Sequence, residues 1–350
     1  MNLHGRFGAE RDDRLQVLWA DGERVFCRAW GEGDDGAGGS VLVVTPGSEH
    51  PTPGCLDRLA REYDLKDALD GAWAVRPLAL EREGERSMLV LEDPGGEPLE
   101  RLLGAPMAID SFLTLAVGIA GAVGKLHARG LVHKDVKPAH LLVNCRDGQV
   151  RLTGFGLASR LPRERQAPAA PEVIAGTLAY MAPEQTGRMN RSIDSRSDLY
   201  ALGVTLYQML TGSLPFTAAD PMEWVHCHVA RKPAPPGERR ADVPAPVSAI
   251  ILKLLGKTAE ERYQTASGLE RDLKHCLAAW QTERRIDGFA LGRHDTPDRL
   301  MIPERLYGRE REIATLLAAF DRVVGSGRPE LVLVSGYSGI GKSSVVNELH

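Results

Sequence analysis

Cysteine is scarce in this sequence: five in 350 residues, at Cys27, Cys55, Cys145, Cys227 and Cys276. An odd number at wide separations provides neither a disulfide framework nor a zinc ribbon, and suits a reducing cytosol. Long basic runs are missing too. Nothing exceeds pairs such as Arg239-Arg240 and Arg284-Arg285, and 43 Lys and Arg against 47 Asp and Glu leave a net charge of -4. That balance argues against a nucleic-acid or anionic-membrane footprint. The N-terminal MNLHGRFGAERDDR has no apolar stretch of the kind a secretory signal carries. The most apolar run, Phe112 to Val123, is glycine-interrupted and shorter than the ~20 residues that cross a bilayer. A cytoplasmic protein without direct membrane insertion is expected. Lysine does not occur between Met1 and Asp64.

What is present is ordinary globular chemistry, 43% hydrophobic and 26% charged, with enough chain for two or three cores. After a tail over residues 1–13, short strand-like runs (RLQVLWA, ERVFCRA, SVLVVT, SMLVLE) and one helical stretch, Leu56 to Ala68, predict a small sheet-rich lobe over 14–93. GEGDDGAGGS at 31–40 reads as a plain hairpin loop. From Ile109 the apolar period lengthens. Asp110 or Ser111 is placed to cap a helix running to about Ala128, and Ser197 to cap DLYALGVTLYQML, which Gly212 closes. A helical lobe over 94–280 follows, then an aperiodic linker over 281–304. Residues 305–350 read as helix, apolar strand Leu331 to Val334, glycine loop and helix start, the opening of an α/β domain that stops at His350.

His133-Lys134-Asp135-Val136-Lys137-Pro138, Thr153-Gly154-Phe155-Gly156 and Met181-Ala182-Pro183-Glu184 resemble, in order and spacing, the catalytic loop, magnesium loop and activation segment of protein kinases. Ser197-Asp198 and Arg262 extend the resemblance, which covers residues 14–280. The longer wording AGTLAYMAPEQTGRMNRSIDSRSDLYALGVTLYQMLTGSLPF, with LGRHDTPDRLMIPERLYGRE, is similar to bacterial hybrid signalling proteins that fuse a serine/threonine kinase domain, an ATPase domain and a sensor histidine kinase of two-component type. The resemblance implies an α+β two-lobed protein-kinase fold followed by the truncated start of an α/β P-loop NTPase domain. It also implies ATP and Mg as cofactors, and protein partners or downstream domains of a signalling hybrid.

Phosphoryl transfer in this family needs donors over the phosphates, a lysine on the third strand, oxygen ligands for magnesium and a carboxylate for the substrate proton. By resemblance, Asp135 is that carboxylate and Lys137 neutralises the transferring phosphate. Other positions depart from the pattern. His140 stands where the family has a magnesium-ligating asparagine, and imidazole nitrogen suits a hard, oxygen-preferring cation poorly. Gly154 replaces the metal-holding aspartate. The third-strand lysine falls near Val44, in the lysine-free region, so its expected helical partner, Glu62, is left without its cation. Counting back from Val25 puts the glycine-loop positions on Leu18, Ala20 and Glu23. His133, Glu184, Asp198 and Arg262 resemble the set that orders the helical lobe. The expectation is a pseudokinase, a stable scaffold with impaired Mg-ATP chemistry that serves as a regulatory or interaction domain. Two other readings stand beside it: an active serine/threonine kinase, and the sensor half of a P-loop ATPase.

Gly336, Gly339, Gly341, Lys342 and Ser343 fit the spacing glycine, four residues, Gly-Lys-Ser. In such a loop backbone N–H groups cradle phosphates, Lys342 reaches the β- and γ-oxygens, and the Ser343 hydroxyl ligates magnesium. Without the acidic strand that completes the metal site, hydrolysis by this segment alone is not expected. His226-Cys227-His228 alternate along a helix and read as packing residues. Lys134 stands where many kinases carry an arginine that grips a phosphorylated loop, and lysine is the poorer clamp. Ser159 and Thr177 are the hydroxyls of the activation segment, read as solvated.

Overall fold

The computed structural model describes residues 15–30, 39–83, 86–160, 164–165, 177–189, 191–297 and 308–347. The expected N-terminal tail, most of the GEGDDGAGGS loop and the end of the expected linker lie outside them.

The first lobe is an antiparallel sheet of β1 (Leu15–Ala20), β2 (Arg24–Trp30), β3 (Ser40–Pro46), β4 (Pro77–Glu83) and β5 (Arg86–Glu92), in the order β1-β2-β3-β5-β4. β4 was not among the strands the sequence suggested. It opens on proline and carries Glu81, Arg82 and Glu83, a composition suited to the sheet edge it occupies. Helix α1 (Pro53–Asp64) begins earlier and ends sooner than the Leu56–Ala68 expectation, because Thr52 accepts the Cys55 N–H and proline sits at the first helical position. Its buried residues, Cys55, Leu59 and Glu62, follow the four-three spacing of one helix face. That spacing drives a carboxylate into the interior.

The second lobe contains α2 (Ile109–Ala128), α3 (Ser195–Thr211), α4 (Pro221–Val229), α5 (Pro236–Arg239), α6 (Ala245–Leu254) and α7 (Ala266–Glu283). Two expected caps are corrected. Ala108 precedes α2, so Asp110 and Ser111 lie within its first turn. Asp194, which accepts the Arg196 N–H, caps α3, so Ser197 is internal. At 20 residues α2 is long and apolar enough to cross a bilayer by length and composition, unlike the shorter run read from the sequence. Its apolar face, including Phe112, Ile119, Val123 and Leu126, is buried in the core that it shares with residues of α3 and α7.

A small sheet, β6 (Glu97–Pro98), β7 (Leu141–Val143) and β8 (Val150–Leu152), underlies the cleft. Val75 N–H donates to Leu152 O at 2.8 Å and Leu152 N–H to Trp73 O at 2.9 Å, fastening the segment after α1 to the second lobe. Beyond it, α8 (Glu310–Ser326) and α9 (Lys342–Asn347) flank the glycine loop. The expected strand Leu331 to Val334 is not formed: Leu331 and Leu333 are 95% and 86% exposed. A parallel strand of this kind needs neighbours, and none pairs with it among the described residues.

Candidate functional site

The cleft floor is the loop around Asp135. His133 and Lys134 donate their backbone N–H groups to the two Asp198 carboxylate oxygens, both at 2.8 Å, and His127 Nε2 donates to Oδ2 at 2.8 Å. Burial works against the Asp198 charge, but these donors bring its pKa below the ordinary value. The bonds hold Lys134 at a φ of +66°, which turns the chain so that Asp135 faces the cleft. The His133 ring, buried and held neutral by burial, donates from Nε2 to Thr153 O at 3.0 Å and packs on Phe155 at 5.0 Å. Catalytic loop and magnesium loop are thereby joined.

Asp135, Lys137 and Thr177 form one constellation. Thr177 N–H donates to Asp135 Oδ1 at 3.3 Å, Lys137 Nζ donates to Thr177 Oγ1 at 2.7 Å, and Nζ lies 3.7 Å from Asp135 Oδ2. Thr177, read as solvated, is therefore bonded on both its backbone and its hydroxyl. Glu184 and Arg262 meet through two hydrogen bonds of 2.7 and 2.8 Å, with Ser197 Oγ donating to the same carboxylate at 2.6 Å. Burial opposes the Glu184 charge, and Arg262 overcomes it to lower the pKa.

The other side of the cleft differs from the usual phosphate cradle. Val44, at the position of the missing lysine, is 4% exposed and packs among Phe26, Leu42 and Leu59. Glu62, without that lysine, is bonded from another direction. Its Oε1 accepts Gly154 N–H at 3.0 Å, and Phe155 N–H also reaches it. Burial pushes its pKa up, against the nearby Arg24 charge and those two donors. Arg24 enters from β2, is 5% exposed, and bonds Asp21 at 3.1 Å. Burial disfavours its charge, but Asp21, Asp135 and Glu62 together keep its pKa above the ordinary value. A cation from the second strand thus partly replaces the one absent from the third.

Trp19, between two of the glycine-loop positions, is 8% exposed and crosses the cleft. Its ring lies 5.7 Å from that of His140 and 5.6 Å from Phe26, with the Arg24 and Lys137 cations 5.5 and 5.9 Å from its centroid. Leu18 and Trp19 share one apolar cluster with Ala139 and Leu142 of the opposite lobe, so Trp19 occupies part of the space between glycine loop and catalytic loop. Beside Trp19 a groove of about 1050 Å³ stays open between the lobes, lined by Ala20, Asp21, Arg24, Asp135, Lys137 and Thr177 among others.

The sequence pattern of the protein kinase domain matches residues 48–273, and that of the AAA ATPase domain matches residues 305–350. The chain belongs to the protein kinase domain family. Serine/threonine-protein kinase Pkn1 of Myxococcus xanthus is 36% identical over 196 residues, 55% of this chain and 28% of that protein. Serine/threonine-protein kinase PknB of Mycolicibacterium smegmatis is 33% identical over 192 residues, 54% of this chain and 30% of that protein. Hybrid signal transduction histidine kinase G of Dictyostelium discoideum is 26% identical over 331 residues, 70% of this chain and 10% of that protein. The chain spans less than a third of the length of each of these relatives.

Kinase domains generally use ATP and magnesium, and the fit of this kinase domain to the metal can be tested directly. His140 is 1% exposed, and burial holds its pKa well below the ordinary value. Its Nδ1–H donates to Asp135 O at 2.8 Å, leaving Nε2 as a buried lone pair without a hydrogen-bond partner among the described residues. A β-carbon on Gly154 would meet the imidazole at 2.6 Å. Two oxygen ligands are thus replaced by one nitrogen and the space it fills, a donor set that does not fit magnesium.

Three contributors escaped the sequence reading: Trp19, Arg24 and His127. The signal for Arg24 was a lone cation directly before Val25; for Trp19, a bulky aromatic among loop positions that should be small. In the AAA-type segment, Gly336, Gly339 and Gly341 all have positive φ. Lys342 Nζ donates to Gly336 O and Tyr337 O at 2.9 and 2.8 Å, and Ser343 is exposed. His226, Cys227 and His228 do not converge: Cys227 is buried, and His228 bonds the Tyr200 hydroxyl at 2.9 Å. No metal-binding cluster occurs among the described residues.

Proposed function

We propose that the kinase domain of this chain is a pseudokinase, a scaffold that keeps the ordered catalytic loop of its family while Trp19 obstructs its nucleotide cleft and two magnesium ligands are missing. The His140–Gly154 pair carries the reading. A neutral imidazole stands where an amide oxygen is required, and it fills the volume that an aspartate at 154 would use. Trp19 supports the same reading by taking part of the space over the catalytic loop. Asp135, Lys137 and Thr177 then serve to fix the activation segment. The module acts through the surface it presents, including the groove beside Trp19, to other domains or proteins of a signalling hybrid. Five free cysteines suit a reducing cytosol. For the AAA-type segment, Gly336 to Ser343 is read as a phosphate cradle.

One observation favours the alternative of an active serine/threonine kinase: the Asp135–Lys137–Thr177 constellation is intact. Incubation with radiolabelled ATP, magnesium or manganese, and a generic protein substrate separates the two. Background incorporation for the natural sequence and for Asp135→Ala alike supports the pseudokinase. Robust incorporation that disappears in Asp135→Ala establishes the kinase instead.

A further inference from the structure

Residues 284–297 fall between the two matched family patterns, which end at 273 and begin at 305. They contain only turns and irregular backbone, yet they are built into the helical lobe. Ile286 is 7% exposed and belongs to the lobe core. Phe289 meets the His275 ring of α7 edge-on at 4.5 Å. Gly292 N–H donates at 2.7 Å to Asp272 Oδ2, the oxygen that also accepts the Tyr263 hydroxyl at 2.6 Å.

Asp295 is the most engaged residue of the segment. Its Oδ1 accepts Thr265 N–H and Thr265 Oγ1–H, both at 2.8 Å, and its Oδ2 accepts Gln264 N–H at 2.6 Å. Thr265 is the N-cap of α7, its hydroxyl oxygen accepting Gly268 N–H at 2.9 Å, so Asp295 fixes the residue that caps the helix. Gly268 leaves room for it: a β-carbon there would lie 2.4–2.7 Å from Asp295 side-chain atoms.

Gln264 carries the contact onward. Its Oε1 accepts Arg196 Nη1 at 3.0 Å and its Nε2 donates to Arg262 O at 2.8 Å. Arg262 holds Glu184 of the activation segment and also donates to Arg196 O at 3.1 Å. From Asp295 to Glu184 each step is a hydrogen bond or a peptide link between buried or half-buried groups, the kind of connected network in which one loss is felt by its neighbours.

We propose that residues 284–297 are a coupling strap, through which the chain leading to the AAA-type segment steadies the activation segment, with Asp295 as its latch. The strap is part of the lobe whether or not the cleft transfers phosphate, so its test is separate from the pseudokinase reading. Two variants of the full chain dislodge it by different means. Asp295→Ala removes the acceptor. Gly268→Ala adds a methyl group where Asp295 packs, in a helix that would otherwise gain from alanine.

Amide hydrogen exchange reads both. Each variant is expected to speed exchange at Gln264 to Gly268 by roughly five- to tenfold, as loss of a cap does. Exchange at Gln185 to Arg188 should rise with it, α2 should be unchanged, and the double variant should add little. Faster exchange at 264–268 with 185–188 at the natural rate makes Asp295 a helix cap alone and overturns the coupling. Acceleration spread evenly through α2, or a Gly268→Ala variant more protected than the natural chain, overturns it as well.

Discussion

A β-carbon placed on Gly154 would stand 2.6 Å from Cδ2 and Nε2 of His140, closer than side-chain atoms approach one another. The two departures from the kinase pattern are therefore a single packed arrangement, in which the imidazole fills what the aspartate vacates. Gly154 also holds a φ of +76°, a region that aspartate and asparagine tolerate better than most residues.

Reversion at one position should fail where reversion at both succeeds. Gly154→Asp alone forces the imidazole out of its site and is expected to cost about 2–4 kcal/mol. Adding His140→Asn should recover at least ~1 kcal/mol, a coupling that urea unfolding of the four-member cycle measures. Additive effects would mean that the two side chains do not share the space.

Trp19→Gly removes the aromatic ring that bridges the lobes. Loss of a buried tryptophan is expected to lower stability by about 3–5 kcal/mol. The same change opens the space above Lys137 and Arg24, so in a Lys342→Ala background, which silences the second nucleotide loop, ATP should raise the melting temperature of this variant in metal-free buffer and leave the chain that keeps Trp19 unmoved. An equal shift in both proteins would show that Trp19 does not exclude nucleotide.

The Glu184–Arg262 pair is buried on both sides. Arg262→Met leaves a carboxylate without its partner and is expected to cost about 3–5 kcal/mol, whereas Arg262→Met with Glu184→Leu should cost less. Chemical denaturation of the two variants checks the order, which reverses if the pair matters only by its volume.

Three buried histidines contribute to the acid response alongside the buried carboxylates Asp198 and Glu184. Burial lowers His133, His140 and His228, the last to about 4. For His228 the unfolded chain binds a proton from pH 6.5 downward while the folded chain resists until about 4. Stability is thus full above pH 6.5 and falls as pH drops through that window, by up to about 3 kcal/mol from this residue. In His228→Asn the fall between pH 6.5 and 4 should be shallower; an unchanged slope would remove His228 from the acid limb.

The two-lobed kinase fold and the positions of Asp135, His140, Gly154, Glu184 and Arg262 were legible because motif order and spacing are properties of the chain alone. The fate of Glu62 was not. Its missing lysine could be read, but the backbone N–H groups of Gly154 and Phe155 that bind it come from 92 or more positions away. Arg24 escaped for a similar reason, since only the folded sheet turns that side chain toward Asp135. The strand at Leu331 to Val334 failed differently: its apolar pattern is real, but pairing depends on partners outside the local sequence. Residues 284–297 lacked periodicity because they bind by single carboxylate and aromatic contacts.

Calorimetric titration with ATP, with and without magnesium, tests the metal-poor cleft most directly when Lys342→Ala silences the second nucleotide loop. In that background magnesium should add nothing to ATP affinity, and His140→Ala should not weaken whatever binding exists. Micromolar binding that requires magnesium and is lost in His140→Ala would contradict the account.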